Sequence, residues 1–168
     1  MLRLTLHRYA TPIGCLLLAT DGTKLFAVDF GDDIGKIQKM IQRYHGKAEV
    51  VESKDSCPWN EELRSYFNGD LTALDAIPIA WAGTDFQQKA WQHLRTIPVG
   101  KTESYGQMAK ALGVPKASRA VGRANGSNPV GLVVPCHRVI GANGSLTGYG
   151  FGVDRKRWLL KHEGVEVK

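Results

Sequence analysis

The chain has 168 residues, of which 43% are hydrophobic and 23% are charged, a composition typical of globular proteins that excludes a largely disordered chain. No apolar run approaches the roughly 20 residues that span a bilayer, and the N-terminal segment lacks the continuous apolar region of a signal peptide. We therefore expect a cytoplasmic protein without a membrane anchor, built from one large domain or two small ones.

The formal net charge of +6 is unevenly distributed along the chain. Residues 1–83 carry 9 Lys or Arg and 11 Asp or Glu, whereas residues 84–168 carry 13 Lys or Arg and 5 Asp or Glu. A basic half indicates a polyanionic partner, and nucleic acid is the best candidate. Chance clustering of charge on a solvated surface is the alternative.

Apolar residues in the first half of the chain alternate in short runs that are typical of strands. Strands are predicted near residues 2–7, 15–20, 26–30 and 49–52, helices near 34–45 and 60–68, and an extended segment at 77–81. The Asp21-Gly22 pair predicts a hairpin turn between the second and third strands. Residues 1–82 are therefore predicted to form a small α/β domain with a mainly antiparallel sheet, and they contain no reactive motif.

From residue 83 onward the pattern changes to short helices, and residues 83–168 are predicted to form a second, mostly helical domain. The predicted helices begin at Thr84, Ser104, Lys116 and Asp154. The first two begin with capping boxes, in which a Ser or Thr and a Gln three residues later bond each other's backbone N–H groups. Asp154 is predicted to cap the last helix.

The second and third of these helices predict a helix-turn-helix, because a tight glycine-containing turn joins them. The third helix, over about residues 116–125, carries Lys116, Arg119 and Arg123 among small side chains. Two arginines four residues apart share one helix face, and small neighbours allow close approach to a DNA groove. A solvated basic face is the alternative, although the basic half favours DNA contact.

The three cysteines, Cys15, Cys57 and Cys136, are odd in number and far apart in sequence. A disulfide framework is therefore not expected. The absence of a Cys-x-x-Cys pair also argues against a thiolate zinc site, and no metal site is predicted. Cys15 is predicted in a strand and Cys57 in a loop.

Cys136 and His137 are adjacent and lie between two short apolar runs. A thiol becomes a nucleophile when a neighbouring base removes its proton. Adjacent side chains on extended backbone point to opposite faces, so activation of Cys136 by His137 needs a bridging water or a local bend. Glu163, near the end of the last helix, could hold the imidazole tautomer. The residues alone leave open whether Cys136 is a nucleophile or a buried packing residue.

The Pro-Cys-His-Arg-Val sequence at residues 135–139 resembles the active-site signature of the O6-alkylguanine-DNA alkyltransferases. The resemblance continues in order through the whole C-terminal half. The other matching segments are residues 83–87, 97–98, 104–107, 119–122, 128–129, 148–149, 158–160 and 162–164. The N-terminal half resembles the family more loosely, in its length and order of elements.

The resemblance implies an α+β protein with a ribonuclease H-like N-terminal domain and a C-terminal domain containing a winged helix-turn-helix. It implies direct-reversal DNA repair, in which a flipped guanine loses its O6-alkyl group irreversibly to a cysteine. Each molecule would act once, as a monomer on double-stranded DNA, without a cofactor, a metal, a membrane or an obligate protein partner. Whether O4-alkylthymine is also a substrate stays open.

The resemblance also implies roles for the reactive residues. Cys136 would be the alkyl acceptor, His137 would take its proton through a water, and Glu163 would orient His137. Tyr105 resembles the tyrosine that contacts the guanine and donates a proton to it. Asn128 resembles the asparagine that braces the active-site loop.

Further roles concern the DNA and the base pocket. Arg119 resembles the arginine that fills the gap left by the flipped base. The other expected DNA-binding residues are Lys116, Ser118, Ala120 and Arg123. Tyr149 and Gly150 lie where the substrate loop of the family closes over the base, and Val139 resembles the residue whose carbonyl reads the guanine amine. Some family members have serine at the position of Gly150, which leaves the width of the pocket open.

Overall fold

The alternating residues at the N-terminus form the central part of a four-stranded sheet. The structure, a computed structural model, describes residues 1–167. The strands are β1 (Leu2–Thr11), β2 (Gly14–Thr20), β3 (Leu25–Phe30) and β4 (Ala48–Glu52). Their order is β3-β2-β1-β4, in which only the β1–β4 pair is parallel. The predicted, mainly antiparallel sheet is confirmed.

Two helices and a 3-10 turn accompany this sheet. They are α1 (Ile34–His45), α2 (Asn60–Phe67) and the 3-10 turn Ala73–Ala76. The Asp33 side chain caps α1 by accepting from the Lys36 N–H, and Gly46 ends the helix with a φ of +78°. The main apolar cluster combines strands and helix, and consists of Leu4, Leu6, Leu17, Ala19, Phe26, Ala27, Ile37 and Ile41.

The chain divides into two compact units, of which the first spans Met1–Gly83 and the second begins at Thr84. The helices of the second unit are α3 (Asp85–Leu94), α4 (Tyr105–Ala111), α5 (Ser118–Gly126) and α6 (Val153–His162). Two short strands, β5 (Glu103–Ser104) and β6 (Val139–Ile140), form a parallel pair. A 3-10 turn, Cys136–Arg138, directly precedes β6.

Both predicted capping boxes are confirmed. The Thr84 hydroxyl accepts from the Gln87 N–H at 3.1 Å, and the Gln87 side-chain oxygen accepts from the Thr84 N–H at 2.9 Å. Ser104 and Gln107 make the same two bonds at 3.0 and 2.8 Å. Each box satisfies two backbone donors that the first helical turn would otherwise leave unpaired, and so fixes where α3 and α4 begin.

Two other predicted helix starts are wrong. Lys116 lies in the turn before α5, because the Ala117 N–H bonds the Val114 carbonyl at 2.8 Å and closes a turn that precedes the helix. Asp154 makes no capping bond and is the second residue of α6. Gly152, with a φ of +93°, occupies the cap position instead, and its carbonyl accepts from the Lys156 N–H.

The structure also bears on membrane-spanning segments, the three cysteines and the glycine-rich stretch. In residues 1–167, no helix combines the length and apolar character that a bilayer-spanning segment needs. All three cysteines are free thiols. Cys57 lies in a loop, as predicted, and its side chain is buried. The glycine-rich stretch 141–152 consists of turns and irregular loop.

Candidate active site

A braced loop presents Cys136 at the start of its 3-10 turn. The Asn128 side chain spans this loop, accepting from the Val130 N–H at 3.0 Å and donating to the Val134 carbonyl at 2.9 Å. Leu132 adopts a φ of +75°, a left-handed conformation that is unusual for a non-glycine residue. The loop therefore holds a strained turn closed, with Asn128 as its internal support.

The Cys136 side chain is buried, with 8% of its surface exposed. Burial raises the pKa of its thiol, while a hydrogen bond from Asn128 and the positive charge of Lys156 oppose that rise without cancelling it. The thiol is therefore protonated at neutral pH, and its reaction as a nucleophile requires a base.

His137 and Glu163 form a fully buried pair beside the cysteine. The His137 Nε2 lies 2.8 Å from the Glu163 Oε2. Burial alone would raise the pKa of Glu163, but the charges and hydrogen bonds of His137 and Arg138 hold it well below its usual value. An ionised carboxylate only accepts hydrogen bonds, so Nε2 carries a hydrogen, and whenever the ring is neutral the lone pair is on Nδ1. Nδ1 is buried and has no hydrogen-bond partner within residues 1–167.

Arg138 completes this arrangement and was not singled out by sequence reasoning. Its Nε donates to the Glu163 Oε1 at 2.8 Å, and its Nη2 donates to Oε2 at 3.2 Å. Its Nη1 donates to the Ile97 carbonyl at 2.7 Å. An arginine within an apolar run is expected to be buried, and a buried charge needs an opposite charge. The position of Arg138 in the sequence could therefore have predicted a carboxylate partner.

Tyr105, the first residue of α4, lies near the cysteine. Its hydroxyl donates to the Thr147 carbonyl at 3.2 Å, and the Lys156 ammonium donates to the same oxygen at 3.2 Å. Burial raises the pKa of Tyr105, and a negative charge on Cys136 raises it further. Tyr105 therefore keeps its proton at neutral pH and can act as a donor.

Lys156 is a second residue that sequence reasoning missed. Its side chain is completely buried in α6, and its Nζ lies 6.0 Å from the centroid of the Tyr149 ring. Burial lowers the pKa of Lys156, while a negative charge on Cys136 would raise it. The sequence carried a signal, because Lys156 precedes Leu159 and Leu160 by three and four residues and so shares their inward face.

A small cavity opens onto Cys136. It holds about 20 Å³ and is lined by Asn125, Gly126, Asn128, Gly131, Cys136, Tyr149, Gly150 and Phe151. The Phe151 ring approaches Gly131 so closely that an added Cβ there would lie 2.6 Å from it. A cavity of this volume has room for one water molecule. A nucleobase is larger than this volume, so the cavity would have to widen to receive one.

The helix-turn-helix is formed by α4 and α5. Lys116, Ser118, Arg119 and Arg123 are exposed, and Ala120 is half-buried. Within the described chain, neither arginine nor Lys116 makes an ion pair. The opposite side of α5 is anchored, since the Trp91 indole N–H donates to the Ala124 carbonyl at 2.8 Å. The last turn of α5 reaches the cavity through Asn125 and Gly126.

Most of the predicted site residues therefore come together in the second unit. Asn128, Cys136, Tyr149 and Gly150 line one cavity, and the His137 ring lies 6.4 Å from the Tyr149 ring. Val139 is buried at the start of β6, where it pairs with Glu103, and it is not part of the cavity lining.

Comparison with known proteins identifies both units. The model of the 6-O-methylguanine DNA methyltransferase DNA-binding domain matches residues 85–165, and that of the ribonuclease-like domain of the same family matches residues 4–81. These matches agree with the fold expected from the sequence.

Whole-chain relatives give the same result. The chain is 46% identical to a methylated-DNA–protein-cysteine methyltransferase of Shigella flexneri, with 98% of each chain covered. It is also 46% identical to a protein of that name from Methanosarcina acetivorans, covering 93% of this chain and 96% of the relative. The crystal structure of Mycobacterium tuberculosis OGT in complex with DNA superimposes with a TM-score of 0.81 at 41% identity, covering 95% and 92% of the two chains. The chain belongs to the methylated-DNA–protein-cysteine methyltransferase family.

Proposed function

We propose that this protein repairs DNA by transferring the alkyl group of O6-alkylguanine to Cys136 in one irreversible step. Family membership supports the reaction class. The observation that carries the choice of acceptor is the position of Cys136, which faces a cavity beside a buried His137–Glu163 pair. The two other cysteines lie in the first unit, and the His137–Glu163 pair lies in the second.

The reaction begins with the thiol proton. Since the His137 Nδ1 makes no direct hydrogen bond to any of residues 1–167, a bridging water carries the proton from Cys136 to this nitrogen, and Glu163 stabilises the resulting imidazolium. The thiolate then attacks the alkyl carbon, forming an S–C bond while the C–O6 bond breaks and its electron pair stays on the guanine. Tyr105 donates a proton to the leaving base and regains one from the imidazolium through solvent. The thioether has no leaving group that would regenerate the thiol, so each molecule acts once.

DNA is the proposed partner, because a homologous protein was crystallised with it and α5 presents unpaired arginines. Arg119 would fill the gap left by the flipped guanine. The remaining contacts would come from Lys116, Ser118, Ala120 and Arg123. Tyr149 and Gly150 would close over the base, and the Val139 carbonyl would read its amine. All of these residues lie in residues 83–168, which we propose as the DNA-binding and alkyl-acceptor domain; the monomeric state and the cytoplasmic location stay predictions.

Intact mass measurement tests the proposal. The protein is mixed with a duplex that contains one O6-methylguanine, and we expect one methyl group per molecule, located on the peptide that carries Cys136. Excess substrate should add no second group. Cys136→Ser, which should bind the same duplex, is the matched control and should gain no mass. Absence of any gain in the wild-type protein would refute alkyl transfer, and a gain on Cys15 or Cys57 would refute the choice of acceptor.

A further inference from the structure

Asn125 is a buried amide whose hydrogen bonding is incomplete. It lies in the last turn of α5, and only 8% of its surface is exposed. Its Nδ2 points to the Met108 sulfur at 3.8 Å, and its Oδ1 is buried without a hydrogen-bond partner in residues 1–167. A buried acceptor without a hydrogen bond destabilises the folded protein, so this oxygen is suited to a donor that enters from outside.

The orientation of this amide follows from its surroundings. The opposite orientation would place the Asn125 oxygen against the Met108 sulfur, so that two acceptors would face each other. Asn125 also lines the cavity that contains Cys136. The residue that carries this acceptor therefore belongs to the wall of the cavity next to Cys136.

The chemistry of the damaged bases limits what this acceptor can bind. Alkylation at O6 removes the N1 hydrogen of guanine, which leaves the exocyclic 2-amino group as the only N–H donor on the base. Alkylation at O4 of thymine removes the N3 hydrogen, and that base then has no N–H donor. A buried acceptor in the pocket is thus matched by the first lesion and left unpaired by the second.

We propose that the Asn125 Oδ1 accepts a hydrogen bond from the 2-amino group of flipped O6-alkylguanine and selects this lesion over O4-alkylthymine. This inference rests on the proposed function of the Cys136 site. The amine has two hydrogens, so it can serve both Asn125 and the Val139 carbonyl. The Asn125 contact comes from a side chain and can be removed by substitution. The Val139 contact comes from the backbone and cannot be removed in this way.

The test compares two proteins with two substrates. Wild type and Asn125→Leu react with duplexes that contain either O6-methylguanine or O6-methylhypoxanthine, which lacks the amine, and single-turnover rates are measured. In wild type, loss of the amine should slow transfer by more than tenfold, because the Asn125 Oδ1 and the Val139 carbonyl both lose their donor. In Asn125→Leu, the preference for the amine should fall about tenfold, the effect of one hydrogen bond to a buried acceptor, and the part due to Val139 should remain. An amine preference that is equal in the two proteins would overturn the proposal.

Two further measurements keep the outcome interpretable. Asn125→Asp keeps an acceptor oxygen of the same shape, so it should keep the amine preference; if it loses the preference as fully as Asn125→Leu does, the acceptor role is refuted. Iodoacetamide needs no nucleobase in the pocket, so its addition to the peptide that carries Cys136, followed by mass spectrometry in all three proteins, reports whether this thiol is still accessible and reactive. Wild-type protein that reacts with iodoacetamide but not with O6-methylguanine would refute the proposed function, which differs from every outcome above.

O4-methylthymine provides an independent arm of the same experiment. Because this base has no N–H donor, wild-type protein should react with it more slowly than with O6-methylguanine. Asn125→Leu should react with O4-methylthymine at least as fast as wild type does, since the unpaired acceptor is gone. A decrease for O4-methylthymine equal to that for O6-methylguanine would contradict selection by Asn125.

Discussion

At the scale of single residues, the site depends on charges that are buried together. Lys156 is fully buried, and its positive charge acts on the Cys136 thiol together with the hydrogen bond from Asn128. The same lysine and the Tyr105 hydroxyl bond one carbonyl oxygen, that of Thr147. One buried cation therefore supports the reactivity of the cysteine and holds the loop that carries Tyr149.

We predict that Lys156→Met raises the pKa of Cys136 and slows alkyl transfer about tenfold at neutral pH. The positive charge favours the thiolate, and its removal shifts the same reaction to higher pH, by about one unit for a tenfold change. Stability should not fall, because methionine has a similar length and needs no buried charge. The pH dependence of the transfer rate and the melting temperature check both expectations.

The matched control for this variant is Lys161→Met. Lys161 is exposed on the same helix, α6, and its replacement should leave the rate and its pH dependence unchanged. A rate that drops equally at all pH values in Lys156→Met would mean that the lysine only supports the loop.

At the scale of elements, α5 connects an exposed basic surface to the cavity that contains Cys136. Arg119 and Arg123 project from its exposed side, whereas Asn125 and Gly126 in its last turn line the cavity. The sequence predicted the helix and its arginines from their spacing. It misplaced Lys116 because a turn closed by the Val114 carbonyl precedes the helix, and backbone bonding of that kind has no residue signature.

We predict that Arg119→Ala weakens repair more than it weakens binding to undamaged DNA. If Arg119 occupies the gap left by the flipped base, its loss penalises only the flipped state, by about 1–3 kcal/mol. Single-turnover repair rates and binding to an undamaged duplex are compared at one salt concentration. Arg123→Ala serves as the control and should reduce both by the same factor, as a phosphate contact does. Equal losses in Arg119→Ala would reduce Arg119 to a phosphate contact.

At the scale of the whole molecule, the two units differ in net charge and in the charged groups that they bury. The acidic first unit contains the four-stranded sheet, and the basic second unit contains a buried group of three charged or titratable residues, His137, Arg138 and Glu163. From the sequence, Glu163 had one expected partner, His137. The ion pair with Arg138 changes that expectation.

We predict that Glu163→Gln lowers the free energy of unfolding of the second unit by about 3 kcal/mol, since it leaves a buried arginine without its carboxylate. The pKa of Glu163 is lower in the folded than in the unfolded state, so its contribution is complete above the ordinary value of 4.5 and is lost as pH falls below it. Urea unfolding at pH 7 and at pH 4 measures this contribution. The free energy of unfolding should decrease more from pH 7 to pH 4 in wild type than in Glu163→Gln. A parallel decline would show that other groups control acid unfolding.

The sequence by itself determined most of the elements and indicated Cys136, His137 and Glu163 as candidate site residues. Capping boxes at Thr84 and Ser104, apolar periodicity and a glycine-containing turn are local signals, because the groups that interact lie within a few residues of each other. The order of residues around Cys136 likewise carried the family resemblance. These features required no knowledge of which distant segments meet.

Only the tertiary structure decided how the site works. The contact of Glu163 with both His137 and Arg138 spans 26 and 25 residues of sequence, and the shared carbonyl of Thr147 lies 42 residues from Tyr105. Burial of Lys156 and Asn125 depends on the packing of several elements, and burial is what turns an ordinary lysine and an ordinary amide into groups that require a partner. The physical reason is desolvation, a property of the folded surroundings and not of the residue.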